Sequence, residues 1–111
     1  MARINYVELP AAQLADTKRF YSDAFGCVLQ EFGPTYAATT AGEVGLGLQG
    51  DASEATTAPL VVFEVDDLEA QLERVTAAGG TVTQPIFAFP GGRRFHFRDP
   101  SGNELAAVRS D

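Results

Sequence analysis

The side chains best equipped for chemistry gather in a short run, Arg93-Arg94-Phe95-His96-Phe97-Arg98. Read as a strand, this run sends Phe95 and Phe97 to one face and Arg94, His96 and Arg98 to the other. His96 is the only histidine in the chain, and an unperturbed imidazole titrates near neutrality. It is read either as an acid–base group or donor to a ligand oxygen, or as a structural histidine paired with Glu64 or Glu104. Arg94 has two readings as well, a bidentate clamp for a ligand carboxylate or a counter-charge for nearby glutamates. Cys27 follows a helix-ending glycine with no neighbour in sequence to lower its pKa, so it reads as a small buried residue rather than a nucleophile. Ser101 sits in a turn, where its hydroxyl serves the backbone.

Alternation supplies the companions of these residues. In Leu60–Val65 the set Val61, Phe63 and Val65 suits a helix-covered face, which leaves Leu60, Val62 and Glu64 on the opposite one. Val7 and Leu9 likewise leave Tyr6 and Glu8 opposite, and Glu104, Ala106 and Val108 share a face of the last strand. An apolar floor with a few convergent polar groups is the make-up of a small-molecule pocket. Tyr6 and Tyr36 are read either as platforms for an aromatic ligand or as half-buried strand residues.

The positioning elements follow from periodicity. Ile4 to Leu9 alternates as a strand. Leu14, Thr17, Phe20, Tyr21, Ala24 and Phe25 recur as an apolar helical stripe that stops at Gly26. Strands are expected near 27–32, 35–40 and 43–48, then a small polar linker. Leu60 to Val65 reads as a buried strand. Asp66 is expected to cap a second helix with Glu69 three residues on, and Leu68, Leu72 and Val75 form its inner stripe. Strands near 81–87, 93–98 and 103–109 complete the chain. The pattern is strand–helix–three strands, twice. The repeat shows in the residues too: Leu14 and Leu68, like Ala24 and Ala78, stand 54 apart, and Gly42 and Gly102 stand 60 apart.

Composition narrows the function classes. The chain has 111 residues, 45% of them hydrophobic, room for a single domain with a core. Its net charge of −7 and single lysine, Lys18, argue against a nucleic-acid partner. No apolar run reaches the roughly 20 residues of a membrane helix, and the start lacks a secretory pattern. One cysteine excludes an internal disulfide and suits a reducing compartment, so a cytoplasmic setting is expected.

Tyr6-Val7-Glu8-Leu9-Pro10-Ala11, Phe20-Tyr21-Ser22-Asp23-Ala24-Phe25-Gly26, Val65-Asp66-Asp67-Leu68 and Asp99-Pro100-Ser101-Gly102-Asn103-Glu104-Leu105 together resemble the vicinal oxygen chelate superfamily of glyoxalases, bleomycin-resistance proteins and dioxygenases. The resemblance implies an α+β fold of two tandem βαβββ modules (about 1–50 and 59–111, joined by a linker at about 51–58) in a single domain. It also implies sheets forming a concave cavity, helices outside, and a homodimer. Metal-dependent members hold a divalent ion through four His, Glu or Gln ligands at corresponding strand positions. Carried onto this chain, those positions are Tyr6, Leu46, Leu60 and Ala106: two leucines, an alanine and a neutral phenol. No metal and no cofactor are therefore expected.

The leading expectation is a metal-independent protein that binds a small organic molecule. Its cavity would be lined by Tyr6, Glu8, Tyr36, Leu46, Leu60, Val62, Glu64, Arg94, His96, Glu104 and Ala106, and the acidic balance suits a cationic ligand. No catalytic residue is assigned in that reading. The alternative is a glyoxalase- or dioxygenase-like lyase or isomerase, working through an unconventional metal site or through His96 as acid and base. A third possibility is an interaction module with no small-molecule chemistry.

Overall fold

The computed structural model of the chain describes residues 2–111. By its contacts the chain divides into two compact units, Tyr6–Leu60 and a second made of Val61–Asp111 with the residues up to Asn5. The boundary thus falls inside strands: the first residues of the opening strand sort with the second unit.

The first module runs β1 (Arg3–Pro10), α1 (Leu14–Phe25), β2 (Leu29–Glu31), β3 (Tyr36–Thr39) and β4 (Gly45–Gln49). Its strands lie in the order β2-β3-β4-β1, with β1 and β4 parallel and the other pairs antiparallel. The second module repeats this as β5 (Leu60–Glu64), α2 (Leu68–Ala77), β6 (Thr81–Phe89), β7 (Gly92–Arg98) and β8 (Glu104–Ser110). Here the order is β6-β7-β8-β5, again with one parallel pair, β5 and β8. The βαβββ unit expected from the repeat is present twice, and the fold is α+β.

Register refines the repeat. Glu8 lies opposite Gly47 in the first module, as Val62 lies opposite Ala106 in the second. The structural mate of Ala106 is therefore Gly47, and Leu46 is one residue out of step. A slip of one residue exchanges faces in a strand. Leu46 accordingly packs against the cluster of Ala11, Leu29, Ala37 and Leu48, together with Leu9, Leu14, Tyr21 and Cys27. It lies on the side of the sheet that faces the helix, not beside Tyr6 as the matching glycines suggested.

The helices are anchored unequally. In the second module Val65, Leu68, Phe95 and Ala107 form a buried cluster, with Phe63, Leu72, Val75, Ile86 and Phe97 packed on it. The inner stripe expected for α2 is there. Its cap is not Asp66 but Asp67, whose Oδ1 accepts from the Ala70 amide at 3.0 Å. Asp67 has the extended backbone a cap needs, and the shift puts Ala70 where a capping box requires Glu or Gln. Glu69 instead takes both guanidinium nitrogens of Arg93, at 2.9 and 3.1 Å.

In α1 the expected stripe sinks only in part. Tyr21 and Leu14 pack on the sheet, while Phe20 and Phe25 are 56% and 72% exposed. A helix of 12 residues is about 18 Å long, whereas β2 and β3, of three and four residues, offer only about 10–14 Å of strand. The rings of Phe20, Tyr21 and Phe25 pack on each other instead. α1 ends at Gly26 as read, in the left-handed region at φ 68°, a conformation costly for any side chain. Among the described residues no helix is long and apolar enough to cross a membrane.

Candidate functional site

On the second module, β7 and β8 bring the sequence-predicted residues together across the sheet. His96 pairs with Ala106, Arg94 with Val108, and Arg98 with Glu104. Phe95 and Phe97 join the cluster under α2, so His96 and its companions occupy the face turned away from the helix. There His96 is buried, with 2% of its surface exposed, among Ala106, Val62 and Val108, which are buried too. Its Nδ1 lies 3.0 Å from Oε2 of Glu104. Its Nε2 is buried and has no hydrogen-bond partner.

Of the two carboxylates considered as its partner, Glu104 takes the role. Glu64 turns outward to Arg3, at 3.2 Å. Arg98 also leaves the cluster: its guanidinium donates to the Gly102 carbonyl at 2.9 Å and braces the preceding turn. In that turn the Asp99 carboxylate accepts from the amides of Ser101 and Asn103 and from the Asn103 side chain. These bonds hold Asp99 below the usual carboxylate range, the Asn103 side-chain bond first. Asp99-Pro-Ser-Gly-Asn is a structural clasp that fixes where β8 begins.

Two aromatic residues escaped the sequence reading. The Arg94 guanidinium lies 5.2 Å from the ring centre of Phe87 and 5.4 Å from that of Phe89, within reach of cation–π attraction. The Phe87 ring is tilted beside the imidazole at 5.9 Å. Uniform alternation along β6 would place Ile86 with Gln84 on the His96 side and Phe87 under the helix. The strand is irregular, however: Gln84 faces His96 and Phe87 faces Arg94, so β6 carries one residue more than β7 between those pairs. The extra residue is a bulge, which reverses the alternation beyond it. Ile86 drops into the α2 cluster and Phe87 joins the site. Pro85 was the available signal, since a proline inside a strand marks an edge or a bulge.

The corresponding face of the first module is built differently. Tyr6 and Tyr36 join through their hydroxyls, and Tyr36 donates onward to Oε1 of Glu8 at 2.9 Å. Glu8 is 3% exposed. Burial first, then the Glu8 charge and the Tyr6 hydroxyl, push the Tyr36 phenol far above its ordinary value. The rings lie over Gly45 and Gly47. A Cβ at Gly45 would fall 2.6 Å from Tyr6 Cδ1, and one at Gly47 would overlap both phenolic oxygens. The two glycines make room for the tyrosines. The hydroxyls of Tyr6 and Tyr36, considered above as ligand platforms, are thus engaged with each other and with the buried Glu8 carboxylate.

With the register corrected, the four positions at which the resemblance implies metal ligands are Tyr6, Gly47, Leu60 and Ala106. One phenol, a hydrogen and two hydrocarbon side chains are not a donor set for a divalent ion. Among the described residues no group of three or more His, Cys, Asp or Glu side chains is arranged to hold a metal either. The residues present do not fit the metal that the resemblance implies.

Topology, the doubled module and the polar groups on the faces away from the helices define a class, and comparison with known families agrees. Residues 3–107 match the model of the Glyoxalase/Bleomycin resistance protein/Dioxygenase superfamily. The chain belongs to that superfamily. No curated protein sequence matches it. Among solved structures it is similar to methylmalonyl-CoA epimerase from Mycobacterium tuberculosis, with a TM-score of 0.77, 17% identity, and coverage of 97% of this chain and 87% of that one. A glyoxalase/bleomycin resistance protein/dioxygenase superfamily member from Vibrio splendidus 12B01 gives a TM-score of 0.73 at 16% identity, with each chain wholly covered. The Mn(II)-bound glyoxalase from Novosphingobium aromaticivorans gives 0.71 at 21% identity, over 98% of this chain but 40% of that one. At these identities the likeness is one of fold.

Proposed function

We propose that the chain binds a small organic molecule on the sheet face around His96, without a metal at the four family positions. The observation that carries this reading is the state of the imidazole. One nitrogen is clamped by Glu104, while the other is buried on an apolar face without a partner. An unsatisfied buried polar atom costs about 1–3 kcal/mol, and a ligand that meets it recovers that cost. Phe87, Phe89 and Val62 add apolar and aromatic surface, with Arg94 as a positioned charge, the composition of a small-molecule site. Ala106 and Glu64 belong to the same proposal with lesser weight; Tyr6, Glu8, Tyr36 and Leu60 fall in the other unit and are not part of it, and Leu46 leaves it as well.

The test is a thermal-shift screen of chelator-treated protein against a chemically varied library. The expected hits raise Tm in chelator buffer and lose their effect in His96→Phe. Binding that appears only after manganese or zinc is restored would overturn the metal-free reading.

The same dyad favours a second reading, an isomerase or lyase in which His96 moves a proton with Glu104 fixing its tautomer. Turnover abolished by His96→Gln with ligand affinity retained would promote it. A cytoplasmic homodimer completes the proposal, supported by the lone cysteine and by the exposed rings of Phe20 and Phe25. A strict monomer in sedimentation at high concentration would remove the dimer.

A further inference from the structure

The two strands that flank His96 hold it with unequal firmness. On the β8 side the imidazole meets Glu104 at 3.0 Å and stands opposite Ala106, in a ladder without irregularity from Gly92 to Arg98. Ala106 is paired in turn with Val62 on β5, and both are buried. On the β6 side the imidazole meets the ring of Phe87, at 5.9 Å between ring centres. Here the support is broken. β6 is an edge strand, and its register slips twice against β7, by one extra residue between Val82 and Gln84 and by another between Gln84 and Phe87. Each bulge leaves a residue out of the ladder, and Pro85, inside the second, has no N–H to donate. Ile86 is still packed in the α2 cluster, so the backbone beside Phe87 is pinned while the Phe87 ring stays half-buried at the sheet edge.

We propose that Phe87 is a side-chain gate on His96. Turned in, its ring shuts the imidazole away from solvent; turned out past the edge of the sheet into another rotamer, it opens the way to Nε2. This inference rests on the binding reading above and supplies its route of entry. Nε2 is buried, so a neighbour has to move before any ligand reaches it, and Phe87 is the neighbour carried by the interrupted strand. The Arg94 guanidinium makes the motion easier. It lies over Phe87 and Phe89 at once, 5.2 and 5.4 Å from their ring centres, and it keeps Phe89 when Phe87 swings away.

Because His96 is the only histidine in the chain, diethylpyrocarbonate reads its accessibility without any ligand. An imidazole nitrogen attacks one carbonyl carbon of the reagent, ethyl hydrogen carbonate leaves to become ethanol and carbon dioxide, and the acylated ring sheds its proton to solvent. The full chain is treated at neutral pH, and the ethoxycarbonyl group on the His96 peptide is followed by mass spectrometry. An open state populated at about 0.1–10%, as minor conformers often are, becomes permanent in Phe87→Ala, so acylation should run about ten- to a thousandfold faster than in wild type. Phe87→Leu should fall between the two and serves if the alanine variant does not fold. Phe89→Ala keeps the gate and removes the second ring over Arg94, so it should react no faster than wild type. Rates in wild type and Phe87→Ala are expected to be flat in urea below the unfolding transition, since turning one ring exposes little surface. Equal rates in wild type and the Phe87 variants, or a wild-type rate that climbs with urea, would overturn the gate. The probe reports access alone, so that result leaves the ligand screen to be judged separately, and an empty screen leaves the acylation rates as they are.

Discussion

The two modules place comparable strand positions on the sheet faces away from their helices and occupy them in different ways. In the first, Tyr6 and Tyr36 fold over Gly45 and Gly47 with their hydroxyls joined, and Tyr36 donates a hydrogen bond to Glu8. In the second, Ala106 and Val62 leave the floor flat, and a single imidazole bridges from Glu104 to a nitrogen with nothing to bond. In the first, the space above the glycines is filled by the two phenol rings. In the second, the small residues beside His96 leave its Nε2 buried without a hydrogen-bond partner. The same scaffold thus carries a linked pair of phenols on one unit and an imidazole–carboxylate pair with one unbonded nitrogen on the other.

The contrast in anchoring gives the largest expected effect. Phe95 is wholly buried under α2, whereas α1 buries no residue fully. Phe95→Ala should cost about 3–5 kcal/mol in urea unfolding, as deletion of a core phenyl ring does. Phe20→Ala on exposed α1 should change stability by no more than about 0.5 kcal/mol. Comparable losses in the two variants would mean that α1 is held as firmly as α2.

Next comes the tyrosine network. Tyr36→Phe removes the link between Tyr6 and a buried carboxylate, and should cost about 1.5–3 kcal/mol, the range for a bond to a charged group. The pH dependence follows from the raised Tyr36 phenol, whose unfolded value is near 10. The folded chain keeps this proton where the unfolded chain sheds it, so its contribution is complete below about pH 10 and is lost as pH rises above. Wild type should therefore lose stability in alkali by a component that Tyr36→Phe lacks, and Tyr36 should resist spectrophotometric titration until the chain unfolds. A phenol that titrates at its ordinary pH in folded protein would break the picture of a buried Tyr36 hydroxyl bonded to Glu8.

The smallest effect concerns the helix starts. Asp67 caps α2 through its side chain, while Gln13 precedes α1 without a side-chain bond. Asp67→Ala should cost about 1 kcal/mol and Gln13→Ala close to nothing. Equal costs in thermal unfolding would show that the second helix does not depend on its cap.

Much of this architecture was legible in the sequence because alternation and helical spacing are local. Glu104, Ala106 and Val108 had to share a face whatever the rest of the chain did, and so did Arg94 and His96. The apolar stripe of α2 and the glycine that stops α1 were equally plain. The doubled module could be read from residues 54 apart. Features that depend on a partner strand were not legible. The matching glycines placed Leu46 beside Tyr6, but the ladder between β1 and β4 puts it across the sheet, against Ala37 and Leu48.

The sequence by itself determined two βαβββ modules and the faces of β1, β5, β7 and β8. Only the tertiary structure decided that Glu104 rather than Glu64 meets His96, that a bulge past Gln84 brings Phe87 to the site, and that two glycines lie beneath a pair of tyrosines. The physical reason is range. A side chain's face follows from its own backbone, whereas its partner follows from the register of strands far apart in the chain. One extra residue in one strand is enough to change it.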